Sequence, residues 1–132
     1  MSHLSKVSMA MKDLATLEAA ANAVGLVLDT TIKTTRGSYI TVNNCVGVLH
    51  APGEINHDNM AGVVKNAQGD YEIQLDYFHN SISKNIGNNG EKLTKSYSEI
   101  LTETEMVNSG YLMAEKSIDQ KTGETVMVFH GL

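Results

Sequence analysis

Twice along this chain an amphipathic helical stripe runs into a glycine and then into two β-rich stretches. That order of elements limits the fold more than any motif does. Leu14, Leu17, Ala21 and Val24 recur at helical spacing behind Asp13, whose carboxylate can accept the free amides of a first turn. Gly25 then offers the left-handed conformation that closes a helix, and residues 26–32 and 38–42, separated by a polar turn, predict a hairpin. Later, Leu93, Tyr97, Ile100, Leu101, Thr104 and Val107 trace a second stripe, Gly110 follows, and residues 111–118 and 125–130 flank a polar turn that holds Gly123. Helix, glycine and hairpin are therefore expected at both ends of the chain.

Between these units the pattern has period two. Val7, Met9 and Met11 alternate with polar or small residues, which predicts a strand over 7–12. Cys45 to Leu49 is a short apolar run, and Pro52-Gly53 breaks regular structure until about Asn59. Residues 60–65 and 71–78 flank a glycine-containing connector and predict a further hairpin; Tyr71, Ile73, Leu75 and Tyr77 share one face, and Glu72, Gln74 and Asp76 the other, toward water. Residues 85–90 read as a flexible connector. Most connections are too short for parallel crossovers, so the expected fold is α+β: a mainly antiparallel sheet with two helices packed on one face. The length of 132 residues fits a single domain spanning 1–132.

Composition narrows the functional classes. Cys45 is the single cysteine, so neither an intramolecular disulfide nor a cysteine-based metal cluster can be built, and a reducing cytoplasmic setting suits the chain. No apolar run is long enough for a signal peptide or a membrane span, so no membrane partner is expected. The net charge of −5 is uneven: residues 1–66 carry five Lys or Arg and five Asp or Glu, whereas residues 67–132 carry five and ten. Phosphate binding needs clustered cations, so nucleic acid is disfavoured as a partner, with Lys33 to Arg36 the one basic spot.

The densest set of candidate ligands is His50, Glu54, His57 and Asp58, with His79 at the end of a strand. Imidazole and carboxylate suit zinc, iron or manganese, but no two of these histidines share a helical face and Pro52-Gly53 interrupts the series. No metal or other cofactor is assigned. His50, His57, Asp58, Tyr77 and His79 stand as candidate ligand-binding residues. Tyr77 and Phe78 could stack on a base, although Asp76 beside them favours a role in the sheet. No serine has the Gly-x-Ser-x-Gly frame of a nucleophile elbow. Cys45 lies among Val46 and Val48, where a thiol behaves as a small hydrophobe, and no catalytic residue is assigned. Gly87 and Gly90 miss the phosphate-loop pattern, yet a helix start there could attract an anion.

Three segments carry a family resemblance. The opening Met1-Ser2-His3-Leu4-Ser5-Lys6-Val7 with Asp13-Leu14, the strand end Leu75-Asp76-Tyr77-Phe78, and Leu93-Thr94-Lys95-Ser96-Tyr97-Ser98 leading through Gly110-Tyr111 to Glu115 resemble the hypothetical chloroplast reading frame 35 family, found in plastids, bacteria and phages. Phe78 stands where an indole is common in that family, and residues 42–59 have no counterpart in it. The resemblance implies an α+β fold and, from members encoded beside ATPase-like genes, an accessory role. The leading expectation is a non-enzymatic cytoplasmic domain that binds a protein partner through a sheet edge or its acidic second half. The alternatives are a small-ligand or metal-dependent activity at His50, His57 and His79, or a phage-type inhibitor that sequesters a nucleotide signal by Gly90.

Overall fold

The computed structural model describes residues 4–7, 10–36, 41–55, 59–76 and 82–131. They form an α+β arrangement of three helices and antiparallel sheets. The chain divides into two compact units, residues 1–97 and 98–132, with the boundary inside a helix.

The first unit is built on a five-stranded sheet in the order β1-β7-β6-β5-β2, with every neighbouring pair antiparallel. Its strands are β1 (Leu4–Val7), β2 (Val27–Asp29), β5 (Gly47–His50), β6 (Ala61–Lys65) and β7 (Tyr71–Asp76). The β6–β7 hairpin forms as its sequence predicts. Gly69 takes a φ of +85°, and Asn66 Oδ1 accepts hydrogen bonds from the amides of Gln68 and Asp70. Ile73 and Leu75 are buried, while Glu72 and Gln74 are half-buried on the opposite face.

The first helix, α1 (Leu14–Ala23), begins and ends as expected. Asp13 accepts from the Ala15 amide and from the Thr16 hydroxyl. At the other end Gly25, at a φ of +84°, allows the Leu26 amide to reach back to Ala21 and its own amide to bond Asn22, the paired bonds of a Schellman motif. A third contact was not legible in the sequence: the Tyr97 hydroxyl accepts from the amides of Lys12 and Asp13, at 3.1 and 3.0 Å. Tyr97 is buried, so two amides at the entry to α1 are satisfied by a residue more than eighty positions away.

Two expectations need correction. The first strand lies at Leu4–Val7 rather than at 7–12, of which residues 8 and 9 lie outside the described residues; Met11 is buried beyond it and its carbonyl accepts from the Tyr71 amide. More consequentially, β2 does not pair with Thr41–Val42, the described part of the expected 38–42 strand. Its partner is β5, with Leu28 opposite Leu49. Residues 37–40 lie outside the described set, and Thr41–Val42 form β4, which pairs with β3 (Thr35–Arg36) in a separate two-stranded ribbon. The pairing is tied to burial: it sets Leu28 against Leu49, and both are buried, Leu49 at 0% exposure.

All four residues of β5 are buried, so this strand is covered on both faces. Gly47, Leu49, Ala61, Val63 and Ile73 share one face by register. On the other, Val48 joins Val42, Cys45 and Met60 in a second cluster, with Ile32 and Val64 at its margin. Gly62 makes this close approach possible. A Cβ there would sit 2.8 Å from Val42 Cγ1 and 2.9 Å from Cys45 Sγ, inside contact distance. Residues 47–50, within the 42–59 stretch, thus supply an interior strand of the sheet between β6 and β2.

After β7, α2 (Ser83–Ile86) is a single helical turn where a connector was expected, and Asn85 Nδ2 donates to the Val24 carbonyl at the end of α1. The long helix α3 (Glu91–Asn108) follows, with Leu93 and Tyr97 buried in the first unit.

In the second unit, residues 98–108 of α3 lead through Gly110, at a φ of +91°, into β8 (Tyr111–Ile118) and β9 (Thr125–Gly131). These two strands form their own sheet, with a bulge between Met113 and Glu115. The turn is closed by Asp119, whose carboxylate accepts from the amides of Lys121 and Thr122, and by Gly123 at a φ of +72°. No helix among the described residues is long and apolar enough to cross a membrane.

Candidate functional site

Of the residues singled out in the sequence, His57, Asp58, Tyr77 and His79 lie outside the described residues, as does Phe78. His50 is described and is buried. Cross-strand register places it opposite Val27, so Asp29 is its diagonal neighbour on the same face of the sheet. Nδ1 lies 2.7 Å from the Ala51 carbonyl oxygen and Nε2 lies 3.2 Å from Asp29 Oδ2. Both ring nitrogens are therefore engaged by acceptors of the chain itself, and the imidazole ties the end of β5 to the end of β2. The Thr31 hydroxyl and amide donate to the other Asp29 oxygen. Those two bonds, followed by the His50 contact, hold the Asp29 carboxyl below its ordinary range. Glu54 is exposed, and among the described residues no three His, Cys, Asp or Glu side chains come together as a metal set.

Cys45 is a core residue, with its Sγ 3.6 Å from the Val42 carbonyl. Burial pushes its thiol up, which disfavours the thiolate that nucleophilic chemistry uses. The glycine loop before α3 carries its own anion. Glu91 folds back so that its carboxylate accepts from the Asn89 amide at 2.8 Å and lies against Gly87, whose φ is +94°. The bond from Asn89, followed by bonds from the backbone of Glu91, holds that carboxyl low. Lys33, in the basic spot, donates to the Val46 carbonyl.

The second unit has a different character. Every residue from Ser98 to Gly131 is at least partly exposed, although this stretch continues the apolar stripe of α3 and adds two β-rich strands. Leu93 and Tyr97 are fully buried; Ile100 and Leu101 are half-buried; Val107 is 45% exposed. The stripe therefore runs out from under cover partway along one helix. Strand pairing divides the ribbon into two faces. Thr125, Met127 and Phe129 point toward α3 and, with Ser98, Glu99 and Thr102, line an open groove of about 320 Å³. Glu99 holds this side: it accepts from the Thr125 hydroxyl and lies 3.6 Å from Lys116 Nζ. The outer face carries Leu112, Val126 and Val128 at 52, 45 and 39% exposure, interspersed with Glu115, Ser117 and His130. Six carboxylates and two lysines lie between Ser98 and Leu132, a net of −4, so nearly all of the chain's excess acid sits here.

This surface had one sequence signal, the acidic second half. A sharper one lies in the strands themselves: β8 carries Glu115 and Lys116, whereas Thr125 to His130 is an unbroken run of β-forming residues without a Lys, Arg, Asp, Glu or Pro. Comparison with protein-family models, curated proteins and solved structures returns no match for this chain.

Proposed function

We propose that the chain is a non-enzymatic cytoplasmic binding domain whose second unit docks a protein partner. The observation that carries this reading is the absence of any buried residue between Ser98 and Gly131, in a stretch whose Leu, Val, Met and Phe content suits a covered surface. An isolated two-stranded ribbon is marginal in water, and contiguous exposed apolar surface with a charged surround is characteristic of interaction sites. The first unit serves as the scaffold, with His50, Cys45 and Glu91 engaged in its internal structure. Membership of the hypothetical chloroplast reading frame 35 family, proposed on the segments that resemble it, agrees with an accessory role.

The test is site-specific photo-crosslinking in the host cell, with the crosslinking residue placed at Leu112 of the outer ribbon face or at the exposed Glu18 of α1. A discrete protein adduct is expected from position 112 and not from position 18. No adduct at 112, or the same adduct from both positions, sinks the reading.

A further inference from the structure

We infer that the free edge of β9 takes up an extended segment of another protein as an added strand, and that this segment has an apolar β-forming centre flanked by lysine or arginine. The inference rests on the docking role of the second unit. Among the described residues β9 pairs only with β8, so one edge of a seven-residue strand has no strand partner. Sheet edges expose rows of amides and carbonyls, and natural proteins guard them with charges, prolines or bulges. The two edges of this ribbon differ in that respect. β8 has a bulge between Met113 and Glu115 and carries Glu115 and Lys116, whereas β9 has neither bulge nor formal charge. An unguarded edge is the template on which strand addition works: main-chain bonds hold the incoming strand and alternate side chains select it.

The surroundings specify the selection. A strand beside β9 would set its alternate residues next to Val126 and Val128 on the outer face and next to Met127 and Phe129 on the inner one, so its centre must be apolar on both faces. Glu124 immediately precedes the strand and the Asp119 turn lies just before it, so an incoming strand meets carboxylates at that end. A second copy of this chain is the poorer fit. Two such units would bring together −4 and −4, which like-charge repulsion opposes, whereas a basic segment is steered toward the site.

The test uses backbone-amide NMR of the full chain with three defined probes: a short valine–threonine peptide flanked by lysines, its glutamate-flanked counterpart, and the chain itself at rising concentration. The lysine-flanked peptide is expected to bind at least about tenfold more tightly than the glutamate-flanked one. Its shift changes should centre on Thr125–Gly131, and affinity should fall as salt is raised. Val126→Lys with Val128→Lys, both at exposed positions, is expected to weaken binding at least about tenfold with the melting curve unchanged. Glu124→Lys, which alters only the flank, is expected to narrow or reverse the preference between the two peptides. Binding of neither peptide, equal binding of both, or shifts that map away from β9 overturns the inference; if the Leu112 crosslink survives, the docking reading stands without it. Self-association abolished by the paired lysines also overturns it, by identifying a second copy as the occupant.

Discussion

The chain builds the same order of elements twice and finishes them differently. In the first copy, α1 passes through Gly25 into β2, which joins a five-stranded sheet at a register that puts Leu28 opposite the fully buried Leu49. In the second, α3 passes through Gly110 into β8, which among the described residues meets only β9, and no described residue of that ribbon is buried. Local chemistry is alike in the two: an apolar stripe, a glycine with positive φ, and strands rich in β formers. What separates them is the supply of further strands. β2 finds β5, β6, β7 and β1 beyond it, while among the described residues β8 and β9 pair only with each other. An element grammar sufficient for a core in one place leaves, in the other, a surface.

That contrast can be attacked most strongly with paired truncations. Leu49→Ala is expected to cost about 2–5 kcal/mol, the range for deleting a buried leucine side chain, and Leu112→Ala less than about 0.5 kcal/mol. Urea denaturation of both variants reads the difference directly. Equal losses would mean that the ribbon contributes to the folded core after all.

A smaller effect tests what anchors the first copy. Tyr97→Phe keeps the ring and removes the oxygen that accepts from the amides of Lys12 and Asp13. The expected cost is about 1–3 kcal/mol, the usual consequence of leaving partly buried donors unpaired. Hydrogen exchange should rise at those two amides and leave the β8–β9 amides unchanged. A variant as stable as the parent chain would reduce Tyr97 to packing alone.

The smallest effect is a dependence on pH in the sheet. Asp29 has its folded-state pKa lowered below the ordinary 3.8 by the two Thr31 bonds and then by His50. The unfolded chain then takes up the proton first as pH falls, so the contribution is fully present above about 3.8 and is lost as pH drops through the lower folded value. Asp29→Asn should flatten the acid limb of the stability profile in that window by lowering the neutral plateau toward the acid value. An identical acid limb in the two proteins removes Asp29 from the account.

Much of the fold was legible because its signals are local. Asp13 as a cap, Gly25, Gly110 and Gly123 at positive φ, the β6–β7 hairpin and the α3 stripe each depend on residues within a few positions of one another. The β2–β5 pairing was missed because it spans the intervening β3–β4 ribbon, and a nearer polar turn offered a plausible shorter hairpin. The site was less legible still. His50 stood out as a potential ligand, and Asp29 becomes its partner only when β2 and β5 align.

By itself, then, the sequence determined the α+β class, the helix limits, the turn glycines and the acidic bias of the second half, since propensity, capping and charge act at short range or simply add. Tertiary structure alone decided which strands meet, why Gly62 admits no side chain, and where along α3 the apolar stripe loses its cover. Those outcomes depend on what lies across the sheet from each residue. A stripe that reads continuously from Leu93 to Val107 is buried over its first turns and open over its last, because burial requires a second surface and not only an apolar one.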